Sequence, residues 1–376
     1  MSRAEVKSLY VHIPFCERKC EYCDFTSLAG LRSSDEYVVA LQQELEFLAP
    51  AASELDTIFF GGGTPGLLEP SLITQLMETI KQNYSLAGGC EVTIEANPSS
   101  VSADRVSRWR EAGFNRVSLG VQSLDNNVLK FLGRVHDSGQ AVAAAGLISG
   151  TFDNFSCDLI YAVPQLTRQT WLSTLEGVAA LKPQHISAYE LTFEPGTPLY
   201  ASLRRGAVKA VDDDAAIEQH WMAVDFFSSI GYSQYEISNF ARDGRECRHN
   251  LAYWHNAYYV SAGLGAHGHL DAVVAQSVGM EAAAGTTVRY WNTRKLRRYL
   301  QGTYRDNYEV VSDMQRERER LLVGLRLNEG VVLDDESATR AMPLQQAGLL
   351  TLNDDRACLT RRGQEVLNEV VARLAA

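Results

Sequence analysis

Three cysteines fall within a single short stretch near the N-terminus, Cys16-Glu-Arg-Lys-Cys20-Glu-Tyr-Cys23. Thiolates at this spacing can each hold one iron of a cubane [4Fe–4S] cluster, which leaves the fourth iron without a protein ligand. An open iron can chelate the amino and carboxylate groups of S-adenosylmethionine (SAM). An electron passed to the sulfonium then breaks a C–S bond and yields a 5′-deoxyadenosyl radical. The reactivity belongs to the cofactor, and the chain supplies geometry and electrostatics. An aromatic at Tyr22, beside the last cysteine, is suited to packing on adenine. Two other readings stay open. One is a zinc site completed by a histidine, although structural zinc sites usually pair CxxC units. The other is three unrelated cysteines, which are normally buried and dispersed. The remaining four, Cys90, Cys157, Cys247 and Cys358, are scattered, so no disulfide framework is indicated. The pattern predicts a cytosolic protein with one thiolate site.

Further polar groups stand at the ends of apolar runs. Gly61-Gly62-Gly63-Thr64-Pro65 closes one such run, where glycines let backbone approach a ligand or simply make a tight turn. Glu95 ends another run and is placed to meet a cationic ligand or to cap the next helix. Gln122 and Arg134 follow in the same fashion, with Arg134 equally readable as a surface residue. Asp158 lies inside the apolar stretch CDLIYAV, and a buried carboxylate needs a partner.

The elements that must position these groups alternate. Strand-like runs end at SLYVHIPF, DTIFFGGG, EVTIEANP, RVSLGVQS, NFSCDLIYAVP and QHISAYELTF, each closed by Gly, Pro or a polar residue. Helical patterns lie between them. Ser33 to Glu36 fits a capping box, and Pro70 suits the first turn of a helix reaching about Asn83. Six strand–helix units predict an α/β fold, a partial (β/α)6 barrel open for want of the last two units, with its site at the C-terminal ends of the strands. The pattern predicts three regions: the partial barrel over 1–230, a small mixed α/β region over 231–310, and a C-terminal module over 311–376. The second is rich in aromatics and histidines. The third reads as helix, two short strands around Asn353 to Arg356, and a final helix, an outline like a winged helix.

Composition narrows the partners. The chain of 376 residues has 35 basic and 46 acidic residues, a net charge of -11. That balance argues against a general nucleic-acid binder and against a polybasic membrane anchor. The C-terminal module has nine arginines, no lysine and eleven acidic residues, a poor surface for DNA, so a structural or partner-contact role is expected. No apolar run approaches a membrane span, and the start, MSRAEVKSLYVHIPF, has no apolar leader core, so secretion is not expected.

The stretches YVHIPFCERKCEYCDF, FFGGGTP, TIEANP, GFNRVSLGVQS and DLIYAVP, in this order, resemble the radical SAM superfamily. Within it the chain resembles the branch of oxygen-independent coproporphyrinogen III oxidases and the HemW-type haem chaperones. The resemblance implies a [4Fe–4S] cluster on Cys16, Cys20 and Cys23, and SAM contacts from Tyr10, Gly62, Gly63, Thr64, Glu95, Gln122, Arg134 and Asp158. Two departures speak against the oxidases. Phe25 stands where they carry a further cysteine, and nine residues precede Tyr10 where they have a long extension. The chaperone side is marked by His249-Asn250-Leu251-Ala252-Tyr253-Trp254, the HNxxYW motif. A histidine can ligate haem iron, and flat aromatics such as Tyr253, Trp254, Tyr258 and Tyr259 can cover the macrocycle. His255, His267 and His269 are further, weaker candidates, and a packed core histidine is the plain alternative for His249. CxxCH is absent, so c-type covalent attachment is not indicated.

The resemblance therefore implies a chaperone that passes haem to an acceptor haemoprotein. By the same analogy the acceptor is respiratory and membrane-associated, which places the chaperone in the cytoplasm or peripherally at the inner membrane. An exposed cluster favours a homodimer. The oxidase reaction is the enzymatic alternative, and a cluster-sensing regulator is the non-catalytic one.

Overall fold

The computed structural model describes residues 4–375; Met1–Arg3 and Ala376, the extremes of the first and last expected regions, lie outside them. One twelve-stranded sheet organises most of the chain. Its first six strands are β1 (Ser8–Ile13), β2 (Leu55–Gly62), β3 (Leu86–Ala96), β4 (Arg116–Gln122), β5 (Phe155–Tyr161) and β6 (His185–Glu190). They are parallel and lie side by side in chain order. These are the six runs expected from the sequence.

The inward and outward phases of these strands differ in kind. Leu9, Val11 and Ile13 of β1, Val92 and Ile94 of β3, and Val117, Leu119 and Val121 of β4 are buried in one apolar core. That core also holds Leu41 and Leu45, Ile73 and Leu76, and Trp109 from the helices Ser34–Leu48, Pro70–Asn83 and Ala103–Ala112. The alternate positions are mostly polar: His12 after Tyr10, Glu95 after Thr93, Ser118 after Arg116, Asp158 after Ser156. An apolar outer face packs on helices and a polar inner face encloses a cavity, as the period of two along a strand requires.

The strands that follow extend the same sheet at both edges. β7 (Ser233–Glu236) and β8 (Asn239–Ala241) add to β6 in antiparallel sense. β9 (Tyr259–Ala262) crosses to the other side and pairs in parallel with β1. β10 (His267–Asp271), β11 (Thr287–Asn292) and β12 (Arg305–Val311) then continue antiparallel outward. The segment 231–310 thus joins the barrel sheet and its core rather than building a sheet of its own. β9 makes a seventh parallel strand that the aromatic-rich sequence around it conceals.

One expected detail is corrected. Ser33 does not form a capping box, since its backbone is left-handed (φ 66°) and its side chain makes no capping hydrogen bond. The C-terminal part has its own small core, with Leu321, Leu325, Ala341, Leu344, Val370 and Leu374. Around it stand the helices Asp313–Gly324, Asp335–Gln346, Arg361–Glu365 and Leu367–Leu374 and a three-stranded antiparallel sheet, the winged-helix outline expected. This unit is docked on the barrel. Trp221 Nε1 donates to Glu365 at 2.8 Å, and the Arg361 guanidinium lies 4.2 Å above the Trp221 ring. Arg326 lies 4.7 Å above Trp254. Among the described residues no helix is long and apolar enough to cross a membrane.

Candidate functional site

The chain leaves β1 at Ile13 and enters the cysteine loop at once. Phe15–Cys16 pairs with Leu28–Ala29, closing the loop at its base. Inside it the Cys23 N–H donates to the Cys20 carbonyl at 3.2 Å. The loop rests on the turn after β2: Gly63 N–H donates to the Ile13 carbonyl and Thr64 N–H to the Phe15 carbonyl, each at 2.8 Å. Two glycines are needed there. Gly62 has φ +110°, and a Cβ on it would lie 2.4 Å from the His12 ring; a Cβ on Gly63 would lie 2.7 Å from the Phe15 carbonyl oxygen and from Pro14. His12 in turn holds the far side of the loop, with Nε2 2.7 Å from the Thr26 carbonyl and Nδ1 3.1 Å from the Tyr10 hydroxyl. Burial keeps His12 neutral, its pKa lowered to about 4.

A chain of hydrogen bonds links two of the cysteines. Arg134 Nη1 donates to Cys20 Sγ at 3.5 Å, and Nη2 donates to Asn97 Oδ1 at 2.5 Å and to the Gly120 carbonyl at 3.1 Å. Asn97 Nδ2 donates to Thr64 Oγ1 at 2.9 Å, and that hydroxyl donates to Cys16 Sγ at 3.8 Å. The sequence pattern does not single out Asn97, which sits before Pro98 and reads as a turn residue. Its only signal is its place at the C-terminal end of an inward-facing strand. Burial raises the Cys16 and Cys23 thiols above their ordinary pKa.

Every residue named from the sequence as a cluster ligand, a SAM contact or the haem candidate lines one cavity of about 1450 Å³. The three cysteines, Tyr22, Gly62, Gly63, Thr64, Gln122 and Arg134 stand at its mouth, at the C-terminal ends of the strands. Gln122 holds a left-handed backbone (φ 63°), uncommon for a residue with a side chain. Glu95 accepts from the Gly62 N–H at 3.1 Å, and its pKa is raised to about 8, by burial first and then by Asp158. Asp158 has the partners that its apolar context demands: the hydroxyls of Ser118, Ser156 and Ser187, at 2.8, 3.0 and 2.8 Å. Tyr10 is stacked on Phe59, and burial raises its phenol well above the ordinary range, as it also raises that of Tyr22. Residues 364–369 of the C-terminal unit complete the wall.

The helix Arg248–Trp254, which carries the HNxxYW residues, packs at the opposite end of the barrel from the cysteines, against Thr57 near the start of β2 and Glu91 in the middle of β3. His249 is 1% exposed. Its Nδ1 is 2.8 Å from Thr57 Oγ1 and its Nε2 2.9 Å from the Tyr253 hydroxyl, with the ring stacked on Phe59. Burial, and then Arg116, lower its pKa to about 3. Iron ligation by either nitrogen requires that one of these bonds be given up. His267, by contrast, stacks on Trp291 at the edge of the same cavity and makes no hydrogen bond through its ring with any described residue.

The donor set fits a cluster. Three free thiols share one loop at the cavity mouth.

An open parallel barrel with a three-cysteine loop after its first strand defines the class. Residues 10–178 match the Radical SAM superfamily, and residues 311–366 match the HemN C-terminal domain. Coproporphyrinogen III oxidase (HemN) from Escherichia coli has the same fold, with a TM-score of 0.81 over 99% of this chain and 91% of that one at 22% identity. Within the superfamily the sequence is more specific. The chain is 36% identical to Heme chaperone HemW of Mycobacterium tuberculosis, over 97% of this chain and 94% of that one. It is 38% identical to the Escherichia coli HemW over 86% and 83%, and 33% identical to that of Bacillus subtilis over 97% and 98%. The chain belongs to the HemW family of radical SAM proteins.

Proposed function

We propose that the protein is a haem chaperone. It binds a [4Fe–4S] cluster through Cys16, Cys20 and Cys23, exchangeable SAM and haem, and it hands the haem to an acceptor haemoprotein. The observation that carries this reading is the single cavity that joins the cysteine loop to an aromatic interior, in a chain whose relatives over nearly full length are named haem chaperones. When bound, the cluster supplies an iron open to SAM and a source of single electrons. The residues of the chain do the holding. His12 and the Gly62–Thr64 turn fix the cysteine loop, and Arg134 and Asn97 keep cationic and polar donors on the sulfurs. Tyr10, Tyr22, Glu95, Gln122 and Asp158 face the space expected for SAM. Glu95, held largely protonated at neutral pH, can donate as well as accept a hydrogen bond there.

His249 is the axial candidate that the sequence pattern offers, and His267 the freer imidazole in the same cavity. The acceptor is proposed to be a respiratory, membrane-associated haemoprotein, with the chaperone cytoplasmic or peripheral at the inner membrane and dimeric. The test is a haem titration of anaerobically reconstituted protein with and without SAM, alongside an assay for 5′-deoxyadenosine. The chaperone reading expects a Soret band, stoichiometric haem and delivery to an apo-haemoprotein. Conversion of coproporphyrinogen to protoporphyrinogen with SAM turnover would replace it with the oxidase reading.

A further inference from the structure

Arg116 opens β4 at the deep end of the cavity, facing inward in phase with Ser118 and Gln122. It is 2% exposed, and its Nε is buried without a hydrogen-bond partner. Its guanidinium makes no hydrogen bond or ion pair with any described residue. A guanidinium stays charged in a protein, so this is a buried cation with five donors and no acceptor.

The neighbouring carboxylates Glu91 and Asp158 offset its charge through space, but neither accepts a hydrogen bond from it, because each is engaged elsewhere. Glu91 accepts from Cys247 Sγ at 3.6 Å, Arg248 N–H at 3.2 Å and His249 N–H at 3.1 Å. Asp158 is held by its three serine hydroxyls. The floor histidines are engaged too: His185 contacts Ser156 and Tyr235, and His249 contacts Thr57 and Tyr253. A second donor stands idle beside Arg116. Thr93, its register partner on β3, is fully buried behind the cavity wall, its Oγ1 without a partner among the described residues. Arg116 therefore brings unused hydrogen-bond donors into a space continuous with the cavity mouth.

We infer that Arg116 is the receptor for a ligand carboxylate that reaches the floor of the cavity, and that the ligand is a porphyrin presenting a propionate. The inference rests on the haem reading above. A carboxylate matches the planar fork of a guanidinium. Its single charge is tolerated between Glu91 and Asp158 better than the double charge of a phosphate. The walls above Arg116 include the rings of Tyr10, Phe59 and Tyr253, an apolar lining suited to a flat macrocycle. No part of the SAM or cluster assignment uses this residue.

The test compares protoporphyrin IX, which has propionates and no iron, with its dimethyl ester. Binding is read by porphyrin fluorescence on the wild type, Arg116→Gln and Arg116→Lys. The wild type is expected to prefer the diacid by about tenfold or more, the worth of a charge-assisted pair. Arg116→Gln should erase that preference, and Arg116→Lys should keep part of it. Equal binding of acid and ester by the wild type overturns the inference, as does a preference that survives in a folded Arg116→Gln protein. The wild-type comparison stands alone if Arg116→Gln does not fold.

Succinate is the small-carboxylate arm. If it raises the melting temperature only when Arg116 is present, while porphyrin acid and ester bind alike, the propionate is overturned and a small acid is the ligand. Failure here is separable from failure of the haem reading. Haem that binds and transfers without acid–ester discrimination leaves the chaperone standing and removes this site. Discrimination without haem transfer does the reverse.

Discussion

Replacing Gly62 with alanine tests how the cysteine loop is held. The residue has φ +110°, outside the range comfortable for a side chain, at a cost of about 1–3 kcal/mol. The new Cβ would also lie 2.4 Å from the His12 ring. Carbon atoms pack at about 3.5–4.0 Å, so the ring must move by roughly 1 Å. It cannot do so freely, because its two nitrogens are tied to Tyr10 and Thr26. Losing the Thr26 bond adds about 1 kcal/mol and releases the far side of the cysteine loop. The sum is about 3 kcal/mol, which for a chain of this size corresponds to a fall in melting temperature of roughly 5 °C or more. Iron and sulfide content after anaerobic reconstitution should fall with it. The double variant Gly62→Ala/His12→Ala removes the clash, so its loss of stability should be smaller than the sum of the singles. A Gly62→Ala protein with wild-type melting temperature and full iron and sulfide would refute the reasoning.

Other consequences are open to measurement. Cys20→Ser should lose the broad iron–sulfur absorption, checked by spectrum and by sulfide analysis, while the apoprotein stays folded. Glu44 is buried against Tyr299, Asn292 and the Gly263 N–H, and burial raises its pKa from 4.5 to about 7. A raised carboxyl favours the folded state while protonated. Its contribution is therefore complete below about pH 4.5 and lost as pH rises through about 7, a change of about 3 kcal/mol. Chemical denaturation of Glu44→Gln against wild type across that window should show the difference shrink by this amount, and parallel curves would contradict it. His249→Ala leaves the Tyr253 hydroxyl buried without its partner, while Thr57 keeps Ser8, and with the cavity it opens should cost about 2–4 kcal/mol even without haem. A Soret band that persists in a folded His249→Ala protein but disappears in His267→Ala would move the axial ligand to the cavity edge.

The parallel core was legible in the sequence where two signals coincided. Runs such as SLYVHI and RVSLGVQ carry apolar residues in one phase and end in Gly, Pro or a polar group, and all six such runs are strands. β9 was not legible. Its four residues, YVSA, lie within an aromatic-rich stretch, and its pairing with β1 joins residues about 250 apart, which no local pattern reports. The capping box at Ser33 failed because the preceding turn sets the backbone left-handed, which side-chain identity does not reveal.

At the site, the cysteine spacing and the glycine turn were visible because their chemistry is local. Asn97 and Arg116 were not. Asn97 acts through partners far along the chain, Arg116 is set apart by having no hydrogen-bond partner among the described residues, and each looks ordinary among its sequence neighbours. A phase argument would have found Arg116, since a charged residue in the same inward phase as Ser118 and Gln122 cannot face solvent. The HNxxYW segment was visible as aromatic, but its place beneath the barrel, against Glu91, follows only from the tertiary fold.

The strand that presents the cysteines is flanked on one side by β2 and on the other by β9. During synthesis β2 emerges soon after β1, whereas β9 arrives only when more than two-thirds of the chain has been made. Until then β1 is a bare margin, with unpaired amides beside a loop of reactive thiols. The parallel partner that completes β1 is thus made long after the cysteine loop beside it. A chain that stops before residue 259 would leave that edge of β1 open, which makes the late return of β9 the step that closes the sheet beside the cysteine loop.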